Sequence, residues 1–546
     1  MAPVEAGGVV VGLLRIPAEG QPGAEEVWAQ AARWVAPPRA GGLGLAGLLV
    51  FGGQAPGLRA RLAALERCAG RRLLLCADLE RGAGQQVQGL TRLPHALALG
   101  AAGDPALARR AGALTAREAR AVGLCCVLGP CADLALHPDN PIIDVRAFGD
   151  EPERVGTLVR AWIEGAQDEG GVLACAKHFP GHGDVVVDSH VALPLLASGA
   201  QTLARRELVP FRAAVRARVA AVMTAHLAAP ALTGDARTPV TLSARAVGWL
   251  RARLGHQGLV ITDALLMGGV LQGLDPAEAA VQALAAGCDV LLAPADPEAA
   301  VRAIARACAC GRLAPARVRE ARGRIAAALA RLAPLPAQPG TEEGASEGAA
   351  AEGGQLARTI AERALVAVRG ERPPVCGQGR EAVVVTLAGD AGELFAVLAA
   401  QLAAGSGAVR LLPVHAASPA ERCAAVRAAV AQAELAGVPV AIVVGSAVRA
   451  YKEQVGLPPR ERELLAALIA AAPRAAVVAL GSPRLLAGAE GGCGFRGFAC
   501  SDEPPSQAAV ARALLGGLRF GAASPLQGRA WRARLERWRG SGVAAG

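Results

Sequence analysis

The chain has 546 residues, with Lys+Arg 57 against Asp+Glu 47, a formal net charge of +10 and 53% hydrophobic residues. That length exceeds one ordinary domain, and that apolar content excludes a mainly disordered chain. Mean hydropathy is +0.33, yet no uncharged apolar run reaches the roughly 18 residues needed to span a bilayer, so no membrane span is expected. The segment Met1–Ala6 has no positive region and the apolar run Gly8–Leu14 is short; no signal peptide is expected, and the expected compartment is the cytoplasm. Thirteen cysteines occur without a Cys-x-x-Cys pair, which reads as reduced thiols filling core positions. Arginines are dispersed and aromatics are 3%, a poor match to a nucleic-acid surface. The one basic-aromatic stretch, Arg529–Arg539, reads as the solvated face of a terminal helix.

In chain order, eight short apolar runs come first: Val9–Leu14, Gly47–Phe51, Leu73–Ala77, Leu124–Leu128, Val172–Ala176, Ala220–Met223, Leu259–Ile261 and Val290–Leu292. Each suits a parallel strand buried on both faces. Amphipathic helical patterns lie between them, among them Ala24–Trp34, Glu151–Ala166, Ala244–Leu254 and Pro276–Ala286, with Ser243 and Asp275 as N-caps. Eight such units predict a (β/α)8 TIM-type barrel over 1–333. A Pro/Gly/Glu-rich linker is expected at 334–355. A second α/β sandwich domain with a mainly parallel sheet is expected at 356–546, its strands at Ala382–Leu387, Val409–Val414, Val440–Gly445 and Ala475–Leu480.

Polar residues follow five consecutive barrel runs: Asp78, Asp133, the pair Lys177-His178, His226 and Asp263. They fall at the barrel face where active sites sit. The composition sharpens the pointer. Only two lysines, Lys177 and Lys452, and one tyrosine, Tyr451, occur in the chain, and four of eight histidines lie between His178 and His226. A lysine kept in an arginine-rich chain marks a position where geometry matters. The densest segment, Lys177-His-Phe-Pro-Gly-His-Gly-Asp-Val-Val-Val-Asp-Ser-His190, is a shaped loop. Asp188 and His190, two apart, point to one side of an extended backbone, so the carboxylate can hold the imidazole as a proton donor and acceptor. Asp263 has no adjacent cation and is free to act as a nucleophile; helix capping is its bland alternative. A metal site from His178, His182, Asp184 and His190 is disfavoured, because Pro180 and the glycines break the helix that i, i+4 ligands require.

These segments resemble glycoside hydrolase family 3, in its β-N-acetylhexosaminidase branch. The resemblance rests on Asp78-Leu-Glu-Arg-Gly-Ala-Gly84, Asp133, Pro138-Asp-Asn-Pro-Ile-Ile-Asp-Val-Arg-Ala-Phe-Gly149, the Lys177–His190 loop, Val222-Met-Thr-Ala-His226, Pro239-Val-Thr-Leu-Ser243 and Ile261-Thr-Asp-Ala-Leu-Leu-Met267. It implies a retaining, exo-acting β-N-acetylglucosaminidase that removes terminal GlcNAc from cell-wall or chitin-type fragments. Asp263 would be the nucleophile and His190, with Asp188, the acid/base. Asp78, Arg146, Lys177 and His178 would bind the sugar hydroxyls, with Asp133 in support. His182 would shape the loop. No cofactor and no metal are implied, and the partner is a small carbohydrate. The sequence departs from the family after Glu80, where Gln85 or Gln86 replaces the sugar-binding arginine. Three alternatives remain open: a phosphorylase, a β-glucosidase-type enzyme, and a non-catalytic sugar-binding or scaffold protein. The oligomeric state is not encoded in these motifs.

Overall fold

The structure is a computed structural model, and the residues it describes are 6–18, 21–333, 343–370, 372–373, 381–388, 394–405, 408–415, 418–446, 456–489 and 494–539. Tyr451 and Lys452 lie outside them. The eight apolar runs form strands β1 (Val10–Arg15), β2 (Gly47–Phe51), β3 (Leu74–Ala77), β4 (Cys126–Val127), β5 (Leu173–Phe179), β6 (Ala221–Thr224), β7 (Leu259–Thr262) and β8 (Leu291–Leu292). They pair in parallel in the order β7-β6-β5-β4-β3-β2-β1-β8. A parallel bridge between Ile261 and Val290 joins the ends and closes the barrel. Side chains such as Val50, Leu74, Cys126, Ala174 and Val222 are buried, as expected of strands covered by helices outside and packed side chains within.

Local rules set the helices. Ser243 Oγ accepts from the Ala246 N–H, and Asp275 accepts from the Ala277 and Glu278 N–H groups with Pro276 at the first helical position. Each cap satisfies orphan donors and contributes about 1 kcal/mol. The helix Pro152–Glu164 ends in a wider turn, Gly165–Glu169. At the floor of the barrel the buried Asp289 carboxylate receives Arg251 and Arg317, each at 2.6 Å, Arg324 at 3.2 Å and the Val260 N–H at 3.0 Å.

Packing divides the chain into two units. The first comprises Met1–Arg92, Pro105–Leu134 and Pro152–Gly353; the second comprises Leu93–Asp104, Ala135–Glu151 and Gly354–Gly546. Of the stretch read as a linker, 334–342 lie outside the described residues. The rest falls in the helix Glu343–Glu362, where alanine and glutamate supply helix propensity against the glycines.

In the second unit, β9 (Val366–Arg369), β10 (Ala382–Ala388), β11 (Val409–His415), β12 (Val440–Gly445), β13 (Ala476–Leu480) and β14 (Phe495–Phe498) form a sheet in the order β11-β10-β12-β13-β14-β9. All pairings are parallel except β14 with β9. Leu398, Leu402, Val443, Val478, Phe495, Leu514 and Phe520 belong to its core. The helix Arg529–Arg539 differs from its sequence reading: Trp531, Leu535 and Trp538 are buried. Their i, i+4, i+7 spacing makes one apolar stripe beneath the arginines.

Candidate active site

The site is built on the C-terminal ends of β3, β4, β5, β6 and β7. β5 runs past the apolar stretch read from the sequence, so Lys177 and His178 lie within the strand and are buried. The Lys177 ammonium sits between two carboxylates, 2.6 Å from Asp78 and 2.7 Å from Glu80. Glu80 is a partner that sequence reasoning left without a role. Its signal was the Asp-x-Glu spacing at a strand end, which turns both carboxylates the same way.

Asp133 is a buried hub. Its Oδ2 accepts from the His178 N–H at 3.1 Å and from the Cys131 thiol at 3.2 Å, and lies 2.7 Å from His178 Nδ1. Its Oδ1 accepts from the His182 N–H at 2.6 Å. Burial raises the Asp133 pKa, but the adjacent His178 and His182 outweigh it and hold the carboxyl below its ordinary range. Cys131, Asp133 and His178 offer ligand atoms within 4.8 Å of one another. The same atoms are already used in these hydrogen bonds, so the cluster serves to fix the strand ends.

The loop after β5 is tied down residue by residue. Gly183 passes so close to the Leu134 carbonyl that no side chain fits there. Gly181 takes φ +127, a backbone open to glycine. Arg206 pairs with Asp184 and Glu207. His182 is buried; burial and the neighbouring His178 push its pKa down to about 4, so it is neutral at pH 7.

Asp188 and His190 meet, but across a turn and not along the extended backbone expected from their spacing: the Val191 and Ala192 N–H groups both donate to the Asp188 carbonyl at 3.0 Å. Asp188 Oδ1 accepts from the His190 N–H at 2.8 Å and lies 2.7 Å from His190 Nδ1. Burial raises the Asp188 pKa, and the His190 bonds more than reverse that. The backbone carbonyls of Ser189 and His190 accept from the Gly269 and Gly268 N–H groups, each at 2.9 Å. The loop carrying the pair is therefore docked on the segment that follows Asp263. Val186, Val187, Val191 and Leu195 are exposed around it.

Asp263 ends β7. Its Oδ1 accepts from the Ala264 N–H at 2.8 Å, and no helix starts until Gly268, so it is not an N-cap. Burial raises its pKa, but His178, His226, the Ala264 N–H and Lys177 together lower it below the usual value. The group is an ionised carboxylate at neutral pH. His226 holds the neighbouring backbone, with Nε2 3.1 Å from the Ala264 carbonyl and Nδ1 2.9 Å from Thr241 Oγ1; burial lowers its pKa. The structure thus brings Asp78, Asp133, Lys177, His178, Asp188, His190 and Asp263 to one unit. Arg146 lies in Ala135–Glu151, which belongs to the second unit, with its guanidinium 3.4 Å from the Ile142 carbonyl. Gln85 accepts from the Arg81 N–H at 3.1 Å and shapes its own turn.

The family model for the glycosyl hydrolase family 3 N-terminal domain matches residues 33–328. The beta-N-acetylglucosaminidase/beta-glucosidase of Cellulomonas fimi is 34% identical over 260 residues, 46% of this chain and 46% of that protein. A beta-hexosaminidase of Pseudomonas aeruginosa is 37% identical over 260 residues, 46% of this chain and 75% of that protein. The match thus spans about half the length of the first relative and three quarters of the second. The solved structure of a family 3 beta-N-acetylglucosaminidase from Paenibacillus sp. str. FPU-7 aligns with a TM-score of 0.81 at 27% identity, covering 96% of this chain and 99% of that one.

Proposed function

Because the chain belongs to glycoside hydrolase family 3, we propose that it is a retaining, exo-acting β-N-acetylglucosaminidase working on terminal β-linked GlcNAc of cell-wall or chitin-type fragments. The observation that carries this reading is the docking of the Asp188–His190 loop, through Gly268 and Gly269, on the segment that begins at Asp263. A retaining glycosidase needs a nucleophile under the anomeric carbon and a proton carrier near the leaving oxygen. Asp263 is ionised despite its burial, which suits attack. His190 donates its proton as the aglycone leaves, and Asp188 stabilises the imidazolium and fixes the ring. The same imidazole then takes a proton from water, which releases the sugar from Asp263 with its configuration kept. Lys177, locked between Asp78 and Glu80, and His178, locked by Asp133, present a rigid polar floor for hydroxyl groups. Arg146 is proposed as a further hydroxyl contact.

The names of the Cellulomonas fimi and Paenibacillus relatives support GlcNAc as the sugar, and the name of the Pseudomonas aeruginosa relative a hexosamine. Mass-spectrometric trapping with a fluorinated glycosyl donor tests the reading. A label on Asp263 is expected; a label on any other residue refutes the assignment. Running a p-nitrophenyl glycoside panel with and without phosphate settles the acceptor, since sugar 1-phosphate would identify a phosphorylase and absence of all turnover a binding protein.

A further inference from the structure

The second unit contains a cavity of about 340 Å³ whose walls include Arg462, Arg484, Arg534, Arg537, Trp538 and Asp139. Arg484 is the unusual member. Its residue is 3% exposed, and none of its three guanidinium nitrogens has a hydrogen-bond partner among the described residues. Local structure places it there. It lies in the short turn Pro483–Leu486, where its own N–H donates to Ser482 Oγ at 3.2 Å. The same Ser482 hydroxyl donates to Asp144 Oδ1 at 2.8 Å. That oxygen stands 3.8 Å from Arg484 Nε, beyond hydrogen-bond range. Below it, the Trp531 ring lies 5.8 Å from the guanidinium carbon, a cation–π contact that leaves the five N–H groups unused.

Asp144 offsets part of this charge through space, without a hydrogen bond. Asp139 is committed to Arg534, with contacts of 2.8 and 3.2 Å. Among the described residues, four arginines therefore line the cavity against one lining carboxylate, already paired. A guanidinium stays charged in a protein, and leaving one buried without acceptors is costly. An anion with several oxygens spread around one centre removes that cost, because the planar fork of arginine matches phosphate in two parallel bonds.

We infer that this cavity is a binding site for phosphate or a small phosphate monoester, with Arg484 as its central contact and Arg462 and Arg537 at its rim. The volume falls at the low end of small-molecule sites, about 300–1,000 Å³. Trp538 and Leu457 add an apolar wall, so a phosphorylated monosaccharide is accommodated as well as the free ion.

The test is isothermal titration of the full chain with inorganic phosphate, glucose 6-phosphate and glucose, against potassium chloride of equal ionic strength. Both phosphates are expected to bind and glucose is not. Tighter binding of the sugar phosphate identifies a monoester ligand; equal affinity identifies free phosphate. Arg484→Gln should weaken phosphate at least about 10-fold, the loss of roughly 1.4 kcal/mol. Arg462→Gln, at an exposed position, should weaken it about 3-fold with folding intact. Both variants should keep wild-type hydrolysis of a p-nitrophenyl glycoside. No binding above the chloride control, or equal affinity in wild type and both variants, overturns the inference. So does phosphate binding that survives Arg484→Gln but is lost in Lys177→Met, since that places the ion in the barrel.

Discussion

Gly269→Ala isolates the contact on which the catalytic reading depends. A Cβ built at Gly269 would lie 2.6 Å from the Ser189 carbonyl oxygen, 3.0 Å from that of Ala192 and 3.1 Å from that of His226. All three are backbone atoms, so no side chain can turn aside. The first contact is about 0.8 Å short of ordinary van der Waals distance, and the loop holding His190 must retreat by most of that. A displacement of about 1 Å costs about 100-fold in rate, so this retreat is worth about 10- to 50-fold in kcat. The overpacking penalty, about 1–3 kcal/mol, is partly offset by the roughly 0.4–1 kcal/mol that alanine gains in the unfolded chain. The net loss of stability should therefore lie between about 0 and 2.6 kcal/mol, and KM should stay near wild type because Lys177, Asp78 and Glu80 are untouched. Gly248→Ala is the control, since a Cβ there meets nothing within 4 Å. The assay is steady-state hydrolysis of p-nitrophenyl-GlcNAc with melting curves on both variants. A Gly269→Ala enzyme with kcat within twofold of wild type would refute the docking argument.

Three further outcomes are expected. Asp188→Asn should lower kcat by about 100-fold or more with KM within a few-fold, because His190 loses the partner of its charged form; equal losses in both parameters would count against the pair. Asp289→Asn should destabilise the chain by about 3–5 kcal/mol in denaturant unfolding, since Arg251, Arg317 and Arg324 lose their shared anion; a loss under 1 kcal/mol would show those arginines to be solvated. His256, buried and 2.9 Å from the Leu259 carbonyl through Nε2, has its pKa pushed down to about 4, mainly by burial. The unfolded chain then binds more protons between about pH 6.5 and 4, so this stability is present above pH 6.5 and is lost as pH falls toward 4. At pH 5 the loss is about 2 kcal/mol, and His256→Gln should remove that share of the difference between pH 7 and pH 5; an unchanged difference would mean that His256 titrates normally.

Much of the barrel was legible because burial on both faces leaves a plain signature. The run Gly47–Phe51 and the helices Ala244–Leu254 and Pro276–Ala286 coincide with the observed bounds. β5 was read short because Lys177 and His178 are polar: they remain in the strand because Asp78, Glu80 and Asp133 receive them, and no local pattern announces partners so distant in the chain. β9 and β14 were not read for a related reason. Phe495-Arg-Gly-Phe498 carries a buried arginine and a glycine, poor strand signals in isolation. The proximity of Asp188 and His190 was readable because both ends lie on one loop, but its geometry was not: the two meet across a turn closed on the Asp188 carbonyl, where an extended backbone was expected. The latch through Gly268 and Gly269 was not, since it joins two loops by backbone atoms, which every sequence possesses.

Lys177 is the one lysine among the described residues, and its side chain is 3% exposed beneath two carboxylates. An amine-reactive reagent meets that nitrogen only when Asp78 or Glu80 releases it toward the mouth of the site. Its rate of acylation, read by peptide mapping, is therefore a clock for transient breaking of this ion-pair cluster, and a ligand seated on Asp78 would slow that clock in proportion to its occupancy.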